Sequence, residues 1–266
     1  SDYWFSQVVT GAEIEAHEHS YFFMLGSTDG DPLEEPKFLR PLKQRHVEGF
    51  LFVRANRPND LEHLRSLQKS GIPIVTTGFY LPLAEFGIVE VDNLAGGWKA
   101  TQYLIELGHS QIAMITGPID WKSVSDRTQG YIDALESAKI TPNPDLIVHG
   151  ENWLHRSGYE AAKELLKRNQ AFTALFAQND RIARGAINAL KEAGLRVPQD
   201  VSVVGYDDIP EAEFSDPPLT TIRQPMQEVG KAATRLLIKM IEDSTATPQQ
   251  ILFDPELVIR SSCIQR

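Results

Sequence analysis

Short runs rich in β-branched and aromatic residues alternate along the chain with stretches in which apolar positions recur every three to four residues. That alternation predicts parallel sheets with crossover helices, and the fold class is α/β. Strands are expected at Tyr21–Leu25, Gly49–Val53, Pro73–Thr77, Ile88–Val91, Gln111–Thr116, Leu146–His149, Ala174–Ala177 and Val201–Gly205. Shorter ones are expected at Leu219–Arg223, Gln250–Phe253 and Leu257–Arg260. Helical patterns lie near 4–18, 32–45, 60–70, 94–107, 124–138, 157–168, 180–193 and 226–242. Gly71, Gly108 and Gly194 each follow such a segment directly, where a helix commonly ends on a left-handed residue.

The length of 266 residues changes this picture by suggesting two lobes of roughly 100–150 residues each, because a single core stops growing near that size. The Asp92-Asn93 pair and the Ile222–Pro225 stretch each join a strand to a helix and are the candidate passages between lobes. The first recognisable element is a helix opening at Tyr3-Trp4-Phe5, whereas a doubly wound lobe ordinarily begins with a strand. A natural beginning upstream of Ser1 is therefore expected.

Charge and composition narrow the chemistry. A net charge of −10 argues against a nucleic-acid surface on these residues. Cys263 is the one cysteine, which excludes an internal disulfide and a cysteine-based zinc cluster and fits a reducing compartment. No apolar run approaches the ~18 residues of a membrane span, and the N-terminus lacks a signal-peptide pattern, so the expected location is cytoplasmic with no membrane partner. GxSxG, HExxH, GxxxxGK[ST] and GxGxxG are all missing, and the histidines are scattered. No enzyme activity, no metal and no cofactor are expected.

In open α/β sheets ligands lie beyond the carboxyl ends of the strands. The loops there hold Trp4, Trp121, Trp153, Arg127, Asn179, Asp180 and Asp207. Flat aromatic faces cover the C–H surface of a sugar or a base, while carboxylate, amide and guanidinium groups bond its polar edge. Plainer roles compete. One of Asn179 and Asp180 should cap the following helix, leaving the other to face a ligand. Asp207 could be a turn residue, although Asp208 is available for that. Arg127 could pair with Asp126 or Glu136 on a solvated helix face, Trp121 could serve a lid or a partner, and Trp98 is assigned to packing.

The stretch Gly194–Pro210, reading GLRVPQDVSVVGYDDIP, followed by Pro218–Pro225, reading PLTTIRQP, closely resembles the lactose-repressor (LacI/GalR) family of bacterial transcription regulators. Val91-Asp92-Asn93, Tyr103–His109, Thr116-Gly117-Pro118, Asp126-Arg127 to Gly130-Tyr131, Ser157-Gly158-Tyr159 and Asn179-Asp180 with Gly185-Ala186 follow family positions in order. The resemblance covers essentially the whole chain. It implies an effector domain of the type I periplasmic-binding-protein-like fold: two doubly wound parallel-sheet lobes with three crossovers, closing on a small molecule in the cleft. The implied lobes are 1–91 with 225–254, and 92–224 with 255–266. Carried over by position, the implied ligand contacts are Trp4, Phe5, Arg127, Trp153, Asn179, Asp207 and Gln224.

The family's helix-turn-helix headpiece and the first strand of the N-terminal lobe have no counterpart in the 266 residues and are expected upstream. The resemblance further implies a homodimer that meets operator DNA through that upstream segment. A neutral sugar is the favoured effector and a purine its rival, since a base also stacks on tryptophan. A solute-binding protein of a transporter shares the architecture and stands as the alternative.

Overall fold

The structure, a computed structural model, describes residues 3–27, 35–44, 46–53, 62–78 and 86–266. Residues 32–34 and 45 of the helix expected over 32–45, and 60–61 of the one expected over 60–70, lie outside them. The chain divides into two compact units, Ser1–Val91 with Pro225–Phe253 and Asp92–Gln224 with Asp254–Arg266, so it passes from one to the other three times.

The first unit contains helices α1 (Tyr3–Glu18), α2 (Glu35–Gln44), α3 (Glu62–Lys69) and α9 (Met226–Glu242). Its strands β1 (Phe50–Val53), β2 (Ile74–Thr77), β3 (Gly87–Val91) and β9 (Gln250–Phe253) form one parallel sheet in the order β1-β2-β3-β9. Successive side chains of a strand point to opposite faces, and the two faces are covered differently. Ile74 and Ile88 pack with Leu39 of α2 and with Leu64 and Leu67 of α3. Val75, Val89 and Val91 pack with Val229, Ala233, Leu236 and Leu237 of α9.

The strand expected at Tyr21–Leu25 is not formed: residues 21–27 have no regular structure, and Phe22 is fully exposed. A strand is held by its ladder, and this segment and β1 line one apolar cavity of about 550 Å³ without pairing to each other. β-Propensity alone cannot order a run of this kind.

The second unit contains β4 (Ile112–Thr116), β5 (Ile147–His149), β6 (Ala174–Ala177) and β7 (Ser202–Val204), parallel in the order β5-β4-β6-β7. Helices α4 (Asn93–Glu106) and α5 (Lys122–Ser137) cover one face, where Ala100, Leu104, Tyr131 and Leu135 meet Ile112, Met114, Ala174 and Phe176. Helices α6 (His155–Lys167) and α7 (Asp180–Glu192) lie against β5, β4, β6 and β7. Every residue of β4 and β6 is buried, as a doubly covered parallel strand requires. A short α8 (Pro210–Glu213) follows β7, and β8 (Thr221–Arg223) pairs antiparallel with β10 (Glu256–Val258) as a separate ribbon.

Helices pair through glycine in both units. In α4 and α5, a methyl group on Gly97 would strike the Arg127 carbonyl oxygen, and one on Gly130 would strike that of Leu94. The same reciprocity holds for Gly158 and Gly185 in α6 and α7, and for Gly11 and Gly230 in α1 and α9. Each pair thus packs backbone to backbone. Gly71, Gly108 and Gly194 have φ of 80°, 91° and 81°, the left-handed conformation expected of them. Trp98 departs from its assignment to packing: on α4 it is 38% exposed.

Candidate functional site

Trp4 and Phe5 stand in the first turn of α1, both half-buried, in the first unit. Phe5 lines the apolar cavity there with Val9, Phe50 and Leu237. The other five sequence-predicted residues belong to the second unit, and the structure brings them together at the carboxyl ends of its strands.

Arg127, on α5, is 6% exposed and makes no solvated pair with Asp126 or Glu136. Its Nε donates to Asn93 Oδ1 at 2.8 Å and its Nη1 to the Gln178 carbonyl at 2.6 Å. Its guanidinium carbon lies 3.6 Å from the centre of the Tyr206 ring and 5.7 Å from that of Trp153. Asp126 pairs instead with Lys122. Buried, fixed at two nitrogens and stacked on an aromatic plate, this guanidinium has one orientation.

Trp153 sits in the loop between β5 and α6, its six-membered ring lying over Gly117 so closely that any side chain there would collide with it. Trp121, just before α5, meets it edge-to-face with ring centres 5.5 Å apart. The Trp153 indole nitrogen is buried without a hydrogen-bond acceptor among the described residues.

Asn179 does two jobs. Its Oδ1 accepts from Ile182 N–H at 2.7 Å, capping α7, and its Nδ2 donates to the Trp153 carbonyl at 3.1 Å. Asp180, the other capping candidate, does not face outward to a ligand: it is completely buried, accepting from Thr221 Oγ1 and Ile209 N–H.

Asp207 follows β7 with φ of 112°, a conformation L residues rarely adopt, and Asp208 has φ of 56°. Asp207 Oδ1 accepts from Gln224 Nε2 at 2.6 Å, and its N–H donates to the Ile222 carbonyl at 2.7 Å. Asp208 takes two arginines, accepting from Arg223 Nε at 2.7 Å and from Arg260 Nη2 at 2.6 Å. Unbroken contact therefore runs from Asn179 through Trp153 and Arg127 to Tyr206, whose chain neighbour Asp207 holds Gln224.

Sequence reasoning did not single out Tyr206, Gln178 or Asn93 as site residues. Tyr206 is fully buried under Arg127; Gln178 accepts from Gly117 N–H at 3.3 Å and donates to Thr128 Oγ1 at 2.9 Å. Tyr206 and Asn93 lie within the family-like motifs Gly205–Asp208 and Val91–Asn93, but their support of Arg127 depends on contacts between distant segments.

Among the described residues no group of three His, Cys, Asp or Glu side chains is placed to hold a metal, and no helix is long and apolar enough to cross a membrane. What the strand ends offer is orientation and hydrogen bonding around an aromatic plate, which defines a ligand-binding protein of the periplasmic binding protein-like class. The family model for that domain matches residues 101–263. Over 263 residues the chain is 34% identical to the HTH-type transcriptional repressor CytR of Escherichia coli strain K12, covering 98% of this chain and 76% of that protein. The transcriptional regulator CelR in complex with cellobiose is similar with a TM-score of 0.88 and 34% identity, covering 97% of this chain and 79% of that one. A LacI family transcriptional regulator from Enterococcus faecium with bound ribose gives 0.84 and 28%, covering 99% and 95%. The chain belongs to the LacI family of transcriptional regulators, and its 266 residues match the effector-sensing part.

Proposed function

We propose that these residues bind a neutral sugar at the strand-end face of the second unit, and that occupancy controls how a homodimer of the full regulator holds operator DNA. The observation that carries this reading is the corner made by Trp153 and Arg127. An indole plate whose buried N–H has no partner among the described residues stands beside a fixed guanidinium. A sugar supplies a C–H face for the ring and hydroxyl oxygens for both donors, while Asp207 accepts from its hydroxyl hydrogens. The cellobiose and ribose bound by two similar regulators support the same class. Arg127 is the one cation among the seven residues, which speaks against a phosphorylated ligand. With a net charge of −10, DNA contact is assigned to a segment other than these residues. The ligand can move the DNA equilibrium only by binding one conformation of the regulator better than another.

The test is a tryptophan-fluorescence screen of the purified chain with cellobiose, ribose, glucose, adenine and hypoxanthine. A saturable response to a sugar, abolished in Trp153→Ala, is expected. Response to the nucleobases alone would replace the sugar by a purine, and a sugar response unchanged in Trp153→Ala would remove that ring from the site.

A further inference from the structure

Asp180 stands at the start of α7 yet turns inward. Its Oδ1 accepts from Thr221 Oγ1 at 2.5 Å, its Oδ2 from Ile209 N–H at 2.9 Å, and its own N–H donates to the Tyr206 carbonyl at 2.8 Å. One residue therefore ties together the beginning of α7, the 205–209 loop and β8. Within that loop lie Asp207 and Asp208, both at positive φ. Gly205 adjoins the Asp180 carboxyl so closely that a methyl group there would strike its Oδ1.

The charges of Asp207 and Asp208, in the loop, bear on Asp180, while Arg223 of β8 and Arg260 of the C-terminal segment both bond to Asp208. Among the described residues Asp180 has hydroxyl and amide partners and no cation. A carboxylate sealed from water beside others, without a counter-ion, is the costly place for a negative charge.

We propose that Asp180 is a positioning residue for Asp207: it keeps its proton in the folded chain and, as a neutral acid that accepts from Ile209 N–H and turns its O–H toward Thr221 Oγ1, locks the loop that presents Asp207 to the ligand. This deepens the sugar-binding reading and rests on it for the role of Asp207. Burial pushes the Asp180 carboxyl well above the usual carboxylate range, the charges of Asp207 and Asp208 push the same way, and the Thr221 and Ile209 bonds pull back. A buried acid in such a place keeps its proton.

An acid whose folded affinity for protons is raised contributes stability that is complete below its unfolded value and is lost as pH rises through the folded one. Asparagine imitates the neutral acid, offering an oxygen to Ile209 and an N–H to Thr221, and does not titrate. The melting-temperature advantage of Asp180→Asn over the parent chain should therefore widen as pH rises above about 4.

The deciding experiment is carboxyl ¹³C NMR of the chain labelled at aspartate, at neutral pH. One aspartate should resonate as a protonated acid, vanish in Asp180→Asn and persist in Asp207→Asn. Absence of any protonated aspartate, or its survival in Asp180→Asn, would overturn the proposal. With a sugar taken from the fluorescence screen, Asp180→Asn should keep its affinity, while Asp180→Ala, leaving Ile209 N–H unpaired, should bind at least ~10-fold more weakly. Wild-type affinity in Asp180→Ala would also contradict it. If no sugar binds at all, the functional reading fails while the NMR result still decides where the proton resides.

Discussion

Asp207 holds its unusual φ of 112° because its amide, its carboxylate and both neighbours are bonded in place. Asp207→Asn keeps an oxygen for Gln224 and a side chain tolerant of positive φ, so it removes the charge and little else. Sugar affinity should fall by roughly 1.5–3 kcal/mol, as for a hydrogen bond to a charged group, with the melting temperature nearly unchanged. A large drop in melting temperature would mark the carboxylate as structural. His109 offers a pH test: burial lowers its proton affinity, while its Nδ1 and Nε2 lie 2.8 and 3.0 Å from Thr173 Oγ1 and Ser202 Oγ. The folded chain favours the neutral ring and the unfolded chain takes the proton as pH falls below about 6.5. Stability should thus be complete above that pH and decline below it, and thermal melts of His109→Gln should show a shallower acid slope. Residue chemistry was legible where it sat in a motif, as with Arg127 and Asp207. It was not legible where a partner came from a distant strand, which is why Tyr206 was not singled out and why the choice between Asn179 and Asp180 as cap and as ligand group stayed open in the sequence.

The elements were legible wherever periodicity and a breaker coincided: α4, α6 and α7 lie within two residues of their expected bounds, and Gly108 and Gly194 close two of them. The pattern could not show which strand pairs with which, because pairing is non-local. Tyr21–Leu25 has the composition of a strand and no ladder, while β8 and β10 find each other across 33 residues as an antiparallel ribbon. Nor could it show why glycines recur inside helices, where they cost about 1 kcal/mol each relative to alanine. Their use appears only in the packed pairs, where Gly97 and Gly130 let α4 and α5 touch. Gly97→Ala should destabilise the chain by about 1–3 kcal/mol despite its better helix propensity, and should weaken ligand binding too, since the obstructed atom is the Arg127 carbonyl. Chemical denaturation checks the first, and titration with the sugar the second. A variant as stable as the parent would mean the helices can part without cost.

At the scale of the molecule, alternation of strand and helix gave the α/β class, and ordered motifs from Val91 to Pro225 gave the family, because both are properties of sequence order. The electrostatic consequence belongs to the same scale. With 36 acidic against 26 basic side chains, residues 1–266 alone should leave operator-length duplex DNA unshifted in a gel at moderate salt. A salt-sensitive shift would place a DNA-binding surface on them. The central claim is that a sugar sits among Arg127, Trp153, Asn179 and Asp207. Hydrogen–deuterium exchange of the chain, with and without a saturating sugar, tests it most directly. Protection is expected at residues 117–121, 150–154 and 205–209 together, and protection confined to other segments would contradict a sugar at this site.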